Sequence, residues 1–297
     1  MKNGLIIINK EAGMSSQAVV NRVKRLLGVD KAGHTGTLDP MATGVLPVLV
    51  GRAVKASEFL LTSDKHYRAT LRLGLETDTE DITGTVIFES ENIPEESEVL
   101  AAVNSMLGKS MQTPPMYSAI KVGGKKLYDL AREGKTVERE SRPIEIFEIN
   151  GRKINEREYE IDVKCSKGTY IRTLCADIGK KLGCGATMTA LRRMSAAGYS
   201  TSWGHTLSEI EQIPEERREV LILPLDKLFP DKKEITLSPF FSRLARCGVP
   251  LYQRKIGVSL PEGEIVRLSD EKGFFALGQS TEADAEKMIK PIRQFDV

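Results

Sequence analysis

The segment from Gly33 to Gly51, GHTGTLDPMATGVLPVLVG, constrains the fold more than any other part of the chain. Its second half, Val45 to Val50, is apolar throughout, so we expect a strand buried in the core. Its first half is rich in glycine and threonine and turns at Asp39-Pro40. A single carboxylate therefore lies on a tight loop that is anchored in the hydrophobic interior, and such loops often carry functional groups.

The bulk properties are those of an ordinary globular protein. The chain has 297 residues, of which 40% are hydrophobic and 28% charged, enough for one large domain with or without a small second one. No apolar run approaches the roughly 20 residues that cross a bilayer, and the apolar part of the N-terminus is too short for a signal peptide. We therefore expect a cytoplasmic protein that does not bind membranes.

Cysteine and histidine give no sign of a metal site. The 4 cysteines form no CxxC pair, and only 3 histidines are present. Zinc sites need closely spaced ligands of these two types, so we expect no metal, and we expect the thiols to be free and mostly buried.

The charge is unevenly distributed although the net charge is only +2. The stretch from Leu73 to Gly108 contains acidic residues but no lysine or arginine, and we expect it to be turned away from any nucleic acid. Each basic cluster elsewhere is either a solvated surface or part of a basic face for a phosphate backbone. These clusters are Arg22, Lys24, Arg25 and Lys31; Lys121, Lys125 and Lys126; Arg139 and Arg142; and Arg192 and Arg193.

The periodicities predict strands and helices without the regular alternation of a doubly wound fold. We therefore predict an α+β protein with a mixed, largely antiparallel sheet in residues 1–232, followed by a small β-rich domain in residues 233–297. The predicted strands are Leu5–Asn9, Lys65–Gly74, its neighbour Val86–Phe88, and Tyr159–Cys165. Four helices are predicted. The first begins at Ser15 or Ser16 and ends at Gly28. The others cover Ser97–Leu107, with Leu107 facing inward, Leu127–Arg132 and Thr173–Leu182.

Three residues are candidates for chemistry, and each has a plain structural alternative. Asp39 is either a turn residue or a catalytic carboxylate to which nearby glycines admit a ligand. Arg172, which leaves an interrupted strand, is either a surface residue or the partner that keeps a carboxylate ionised. Tyr67 is either a core tyrosine, since it falls on the apolar face of its strand, or an aromatic plate for an unstacked base. A phosphate-binding loop is disfavoured because neither GxxxxGK[ST] nor GxGxxG occurs.

Six segments, taken in order, resemble the bacterial tRNA pseudouridine synthase B (TruB) family. The segment from Gly33 to Gly44 is similar to the catalytic motif of that family almost letter for letter. The other similar segments are Lys65–Arg68 (KxYR), Thr113–Lys121 (PPxYSAxK), Ser166–Arg172 (SKGTYIR), Leu191–Met194 and Leu223–Asp226. One departure is that Glu11 follows Asn9-Lys10 where the family has proline, which removes a rigid turn.

The resemblance implies a fold, a reaction and a set of site residues. The fold would be a catalytic domain of pseudouridine-synthase type with a small PUA-like RNA-binding domain. The reaction would be isomerisation of the T-loop uridine at position 55 of tRNA to pseudouridine, with base flipping and no cofactor. The implied partner is the T-arm stem-loop of tRNA, bound by a monomer that needs no protein partner.

By the matched positions, Asp39 would be the catalytic aspartate and Arg172 its partner. Tyr67 would stack on the flipped base, His34 would contact the RNA loop, and Tyr170 and Leu191 would line the uridine pocket. Two alternatives remain open: a non-catalytic RNA-binding protein on the same scaffold, and a related synthase that acts inside a guide-RNA complex.

Overall fold

The computed structural model describes residues 2–61, 63–118, 120–283 and 286–295. The α-helices are α1 (Ser16–Leu27), α2 (Ser57–Leu60), α3 (Glu96–Asn104), α4 (Leu127–Arg132), α5 (Ile171–Leu182), α6 (Leu207–Gln212) and α7 (Pro239–Arg246). In the described part of the chain, no helix is both long and apolar enough to span a membrane.

The strands fall into a large N-terminal group and a smaller C-terminal group. The first group is β1 (Gly4–Lys10), β2 (Ala32–His34), β3 (Thr43–Val50), β4 (Lys65–Leu73), β5 (Leu75–Thr77), β6 (Val86–Glu89), β7 (Gly108–Gln112), β8 (Lys121–Val122), β9 (Lys125–Lys126), β10 (Arg142–Lys153), β11 (Glu158–Cys165), β12 (Ala186–Ala196), β13 (Tyr199–Ser200) and β14 (Leu223–Pro224). The second is β15 (Glu234–Thr236), β16 (Leu251–Tyr252), β17 (Ile265–Asp270), β18 (Gly273–Ala283) and β19 (Glu286–Gln294).

A ten-stranded sheet forms the body of the protein. Its order is β14-β1-β3-β12-β4-β11-β10-β7, with β2 added to β3 and β13 added to β12. All pairs are antiparallel except β3 with β12, which run parallel in the centre of the sheet. The predicted α+β class with a mixed, largely antiparallel sheet is confirmed.

Helix α1 follows directly from its sequence. The hydroxyl of Ser15 accepts a hydrogen bond from the backbone N–H of Ala18, and Gly28 ends the helix in the left-handed conformation at φ 61°. Val19, Val23 and Leu27 lie on one face and are buried. This face packs in the main core together with Ile6, Ile8, Leu46 and Val48.

Strand β4 shows the alternation that its sequence predicts. Tyr67, Ala69, Leu71 and Leu73 are buried, and the residues between them are more exposed. The same buried face begins with Lys65, which is only 9% exposed. A lysine at the start of an apolar face is unusual, because burying its charge costs free energy.

Three local predictions are wrong. Strand β6 pairs with the short strand β5 in a separate two-stranded sheet and does not pair with β4. Helix α3 ends at Asn104, and Leu107 is 58% exposed. Arg172 lies in the first turn of α5, because the chain turns after Tyr170 into a helix where we expected an interrupted strand to continue.

The C-terminal strands form a second sheet in the order β15-β17-β18-β19-β16, with α7 packed on it. Leu277 and Phe295 from this part share a hydrophobic cluster with Leu5, Ile7 and Val45 of the main sheet. The C-terminal β-rich unit therefore covers the face of the main sheet opposite α1.

Candidate active site

The loop that carries Asp39 connects β2 with β3 and is fixed from beneath by Lys10. The Lys10 ammonium, 2% exposed, donates to the carbonyl oxygens of Pro40 at 3.0 Å and Ala42 at 2.7 Å. From α1, the Ser16 hydroxyl donates to the Leu38 carbonyl at 2.9 Å and accepts from the Leu38 N–H at 2.8 Å. Both flanks of Asp39 are thus tied to regular elements.

The first half of the same loop is held by Arg193 of β12. Its guanidinium, in a residue 1% exposed, donates to the carbonyl oxygens of Val45 at 2.7 Å and Gly36 at 3.0 Å. Gly44 lies against the backbone of Arg193 with φ +99°, and a Cβ added there would be 2.2 Å from the Arg193 carbonyl oxygen. Only glycine allows this approach of β3 to β12.

Arg172 links the carboxylate of Asp39 to two other segments of the chain, those of Thr79 and Tyr117. Its Nε lies 3.0 Å from Asp39 Oδ2. Its Nη atoms donate to the carbonyl oxygens of Thr79 at 3.0 Å and Tyr117 at 2.7 Å. The side chain of Arg172 is only 6% exposed, whereas that of Asp39 is 33% exposed. The arginine is therefore fixed, and the carboxylate that it orients stays open to a ligand.

Asp81 is a second acidic partner of Arg172 that the sequence analysis missed. Its Oδ2 lies 3.6 Å from Nη1 of Arg172, and its Oδ1 accepts hydrogen bonds from Thr79 and Thr83. The residue is 5% exposed. The acidic stretch was expected to face away from nucleic acid, and its turn from Asp78 to Thr85 lies at the same cavity as Asp39. The signal was available in that turn, where carboxylates alternate with threonines before Gly84.

The pKa of Asp39 reflects opposing influences. Burial raises its pKa above the ordinary value, the Arg172 guanidinium lowers it, and the carboxylate of Asp81 raises it again. Lys10 also lowers it from the other side of the loop. Burial and the Asp81 carboxylate thus disfavour the negative charge of Asp39, whereas Arg172 and Lys10 favour it.

Two adjoining cavities meet at Asp39 and Arg172. The first, of about 840 Å³, lies between α1, the Asp78–Thr85 turn and the segment around Tyr128, and His34 is on its wall. The second, of about 400 Å³, is lined by Tyr67, Tyr170 and Leu191 as well as by Asp39 and Arg172. All six residues singled out in the sequence thus surround these two cavities.

Tyr67 is both a core residue and part of a cavity wall. It is 7% exposed and belongs to the main core, yet it also lines the smaller cavity. Burial raises the pKa of its phenol, so the ring is neutral at physiological pH.

The other three residues are positioned by the backbone around them. Tyr170 precedes the first turn of α5, and its N–H donates to the side-chain oxygen of Gln112 at 2.8 Å. Leu191 lies on β12 and is 7% exposed. The Nδ1 of His34 accepts from the Gly36 N–H at 3.3 Å, and burial lowers the pKa of its imidazole.

The sequence analysis also missed Lys65, Arg193 and Tyr128, which line the smaller cavity. Lys65 could have been found from the sequence, because it lies on the apolar face of the alternating strand β4, where a lysine is unexpected. The resemblance segment Thr113–Lys121 includes position 119, which lies outside the described residues, and the side chain of Asp226 is likewise not described.

Comparison with known proteins gives the family. The family described as "TruB family pseudouridylate synthase (N terminal domain)" matches residues 24–171, and "tRNA pseudouridylate synthase B C-terminal domain" matches residues 172–229. The chain belongs to the TruB family. Among its relatives, tRNA pseudouridine synthase B of Clostridium tetani is 43% identical over 97% of this chain and 99% of the relative. That of Francisella tularensis subsp. novicida is 44% identical over 97% and 93%.

Solved structures share the fold over nearly the whole chain. Cbf5 in a Cbf5-Nop10-Gar1 complex superposes with a TM-score of 0.77 at 25% identity, covering 99% of this TruB-family chain and 85% of the other. An archaeal Nop10-Cbf5 complex gives a TM-score of 0.72 at 23% identity, covering 99% and 86%. The pseudouridine-synthase type of fold predicted from the sequence is therefore confirmed.

Proposed function

We propose that this chain isomerises the uridine at position 55 in the T-loop of tRNA to pseudouridine, with Asp39 as the catalytic carboxylate. The observation that carries the proposal is the pairing of Asp39 with Arg172 at the junction of two cavities. A carboxylate oriented by a buried arginine at the wall of a pocket is what a reaction at C1′ of a nucleotide requires. Family membership supports the reaction, and the names of the relatives support tRNA as the substrate.

The reaction breaks the bond between N1 of uracil and C1′ and forms a bond between C5 and C1′. The base leaves with the electron pair, turns within the pocket and bonds to C1′ through C5. C5 then loses its proton and N1 gains one, so the product is an isomer of the substrate. No oxidant, reductant or phosphoryl donor is consumed, so we expect no cofactor. Asp39 can act as a nucleophile on the sugar or the base, or take the C2′ proton.

The remaining residues supply the energy and shape for base flipping. Extracting a stacked uridine costs a few kcal/mol, and a stack on Tyr67 returns roughly 1–3 kcal/mol. Tyr170 and Leu191 line the smaller cavity and would hold the base, while His34 in the larger cavity would contact the RNA loop. Insertion of the base into the smaller cavity would keep water from the cleaved intermediate.

We also propose that the chain has two domains with different roles, one for each sheet. We place the boundary between residues 232 and 233, since the second sheet begins at Glu234. The C-terminal unit would serve as a PUA-like RNA-binding domain, supported by exposed Phe240 and by Tyr252, over whose ring Arg254 and Lys255 lie. Positions 284–285 and 296–297 of this unit lie outside the described residues. We place the protein in the cytoplasm with its tRNA substrate, as a monomer.

Asp39→Asn tests the catalytic assignment. We expect it to abolish pseudouridine formation, because the amide cannot act as nucleophile or base, while tRNA binding is retained. Tritium release from a tRNA transcript labelled at C5 of uridine measures turnover, and filter binding measures affinity. The matched control is Asp231→Asn, whose side chain is 68% exposed. Full activity of Asp39→Asn contradicts the assignment.

The same assay distinguishes the proposal from a guide-dependent synthase. The purified chain should modify an isolated T-arm stem-loop with no other RNA or protein present. A transcript in which cytidine replaces uridine 55 should release no tritium. Turnover that appears only after a second RNA is added would favour action within a guide-RNA complex, one of the two alternatives that the sequence left open.

A further inference from the structure

Lys65 presents a buried ammonium to the smaller cavity that the mechanism above does not use. The residue precedes Tyr67 by two positions on the inward face of β4 and lines the same cavity as Asp39. Its Nζ donates to the carbonyl oxygens of Ser63 at 2.6 Å and Leu61 at 3.2 Å. An ammonium has three N–H donors, so one has no acceptor within the described part of the chain.

Arg193 is a second buried cation near Lys65, and its charge raises the free-energy cost of burying Lys65 without a counter-ion. Arg193 pairs with Tyr67 across β4 and β12 and is 1% exposed. Its guanidinium donates to backbone carbonyl oxygens and also hydrogen-bonds the side chain of Tyr67, which is neutral. Over residues 2–61, 63–118, 120–283 and 286–295, no carboxylate lies within ion-pair distance of Lys65 or Arg193. Buried cations without a counter-ion are unfavourable unless a bound group supplies negative charge.

Burial depth indicates which part of an RNA could supply that charge. A nucleotide that enters the smaller cavity inserts its base first, and its phosphates remain with the strand at the mouth. Lys65 is 9% exposed and lies in the wall of this cavity, so an inserted base, and not the phosphates at the mouth, would be its neighbour. Uracil is neutral in the free RNA, and its negative charge develops only in the reaction.

That charge develops on the base by every route open to Asp39. If the bond from N1 to C1′ breaks, by attack at C1′ or by loss of the C2′ proton, the electron pair is shared among N1, O2 and O4. If Asp39 adds to the base, the pair is shared between C5 and O4. A fixed donor aimed at a carbonyl oxygen of the base lowers the barrier in each case.

We propose that Lys65 is a catalytic residue whose free N–H binds a carbonyl oxygen of the flipped uracil and stabilises the negative charge that the base acquires. Lys65 keeps its proton throughout, and the electron pair is returned when C5 bonds to C1′, so nothing is consumed. The inference rests on the proposed function, with the uridine base in the cavity of Tyr67.

The surroundings of Lys65 make its protonation state measurable. Burial lowers its pKa to about 8, and the guanidinium of Arg193 adds to this effect. Cys165 of β11 and Asp64 raise the pKa of Lys65, whereas Lys167, like Arg193, lowers it. The ammonium is therefore present at neutral pH and lost as the pH rises through about 8.

Single-turnover rates with excess protein over labelled tRNA test the proposal. Lys65→Met keeps the length of the side chain without its charge, and we expect it to lower the rate roughly 10²–10³-fold, the effect of removing one such donor. The dissociation constant for tRNA should change less than threefold, because the charge on the base appears only during the reaction. Lys65→Arg should restore the rate to within tenfold of wild type. The matched control, Lys164→Met, removes an exposed lysine paired with Glu148 on the adjacent strand and should leave the rate unchanged.

The pH dependence of the single-turnover rate is a second test. A lysine with a purely structural role would not affect it, and the comparison uses Lys65→Arg, so it holds even if Lys65→Met does not fold. The wild-type rate should fall above pH 8, and this fall should be absent in Lys65→Arg. Lys10 has a pKa lowered to about the same value, so a fall that persists in Lys65→Arg assigns the titration to Lys10 and overturns the proposal. A Lys65→Met rate within threefold of wild type, or a loss of affinity equal to the loss of rate, also overturns the proposal.

The Asp39→Asn variant, measured in the same assay, separates the two proposals. Turnover by Asp39→Asn refutes the catalytic carboxylate, whereas an active Lys65→Met refutes only the role of Lys65.

Discussion

The charge on Asp39 depends on a balance that Arg172 controls. The guanidinium touches Asp39 through Nε and also contacts Asp81, so one cation serves two carboxylates. Its two carbonyl acceptors, Thr79 and Tyr117, fix the plane of the group. A planar fork with five donors is required to make all these contacts from one position.

Arg172→Lys should therefore lower the rate far more than it weakens tRNA binding. The compact ammonium keeps the charge but cannot reach Asp39, Asp81 and both carbonyl oxygens together. We expect kcat to fall roughly 10²-fold, in the range for misplaced catalytic groups, with a change in tRNA affinity of less than about threefold. Steady-state tritium release gives kcat, and unchanged turnover would refute the dependence of Asp39 on this pairing.

The acid side of the pH profile should report the raised pKa of Asp39. Because the ionised form is required, kcat/KM falls as the pH drops through this pKa, and the midpoint lies above the ordinary aspartate value of 3.8. Arg172→Gln removes the main lowering influence, so its residual activity should show a midpoint at still higher pH. A wild-type midpoint at or below the ordinary value would contradict the electrostatics described here.

At the level of elements, the loop that carries Asp39 depends on the parallel contact between β3 and β12. Gly44 and Arg193 are paired across these strands, and the Arg193 side chain turns back to hold the loop before Asp39. The contact places Tyr67 of β4 next in the sheet, since β12 lies between β3 and β4. The spacing of these three strands therefore determines the width of the smaller cavity.

Gly44→Ala should disrupt this contact. A methyl group there meets the backbone of Arg193 at 2.2 Å, so β3 and β12 must separate. Gly108→Ala is the matched control, because Gly108 has a similar φ of +96° but no atom within 4 Å of the added Cβ. We expect the free energy of unfolding to fall by roughly 2 kcal/mol or more beyond the control, the cost of overpacking. Urea unfolding measures both, and equal losses would show that the backbone conformation alone matters.

At the level of the whole molecule, the C-terminal unit is joined to the main sheet by a hydrophobic cluster. Phe295 is fully buried, and its ring lies 5.3 Å from that of Phe274 and 6.3 Å from that of Phe229. Leu5 and Ile7 of β1 belong to the same cluster. Strand β1 thus packs against the main hydrophobic core on one face and the C-terminal unit on the other.

Phe295→Ala should loosen this junction. Truncating a buried phenylalanine costs about 3–5 kcal/mol, and we expect the single unfolding transition to split as the C-terminal unit separates first. Phe240→Ala, at a side chain 56% exposed, should change stability by less than about 0.5 kcal/mol. Calorimetry distinguishes the outcomes, and an unsplit transition with an unchanged midpoint would show that the two units are not coupled through Phe295.

Much of the local structure was predictable because it depends on neighbouring residues. Ser15 and Gly28 delimit α1, and the alternation of β4 is visible in its letters. Strand partners were not predictable in this way: nothing in Val86–Phe88 says that it pairs with β5 and not with β4. The turn at Asp81 was read as a remote acidic surface because sequence shows charge but not proximity.

For the site, the residues alone determined that Asp39 lies on a glycine-rich loop anchored by a buried strand, and they made Arg172 and Tyr67 candidates. Motif resemblance then assigned roles to all six residues. Only the tertiary structure decided that Arg172, 133 positions away, reaches Asp39, and that Asp81 and Lys65 lie at the same cavities. The physical reason is range: helix ends and strand faces follow from contacts a few residues apart, whereas ion pairs act over a few ångströms between segments that only the strand order brings together.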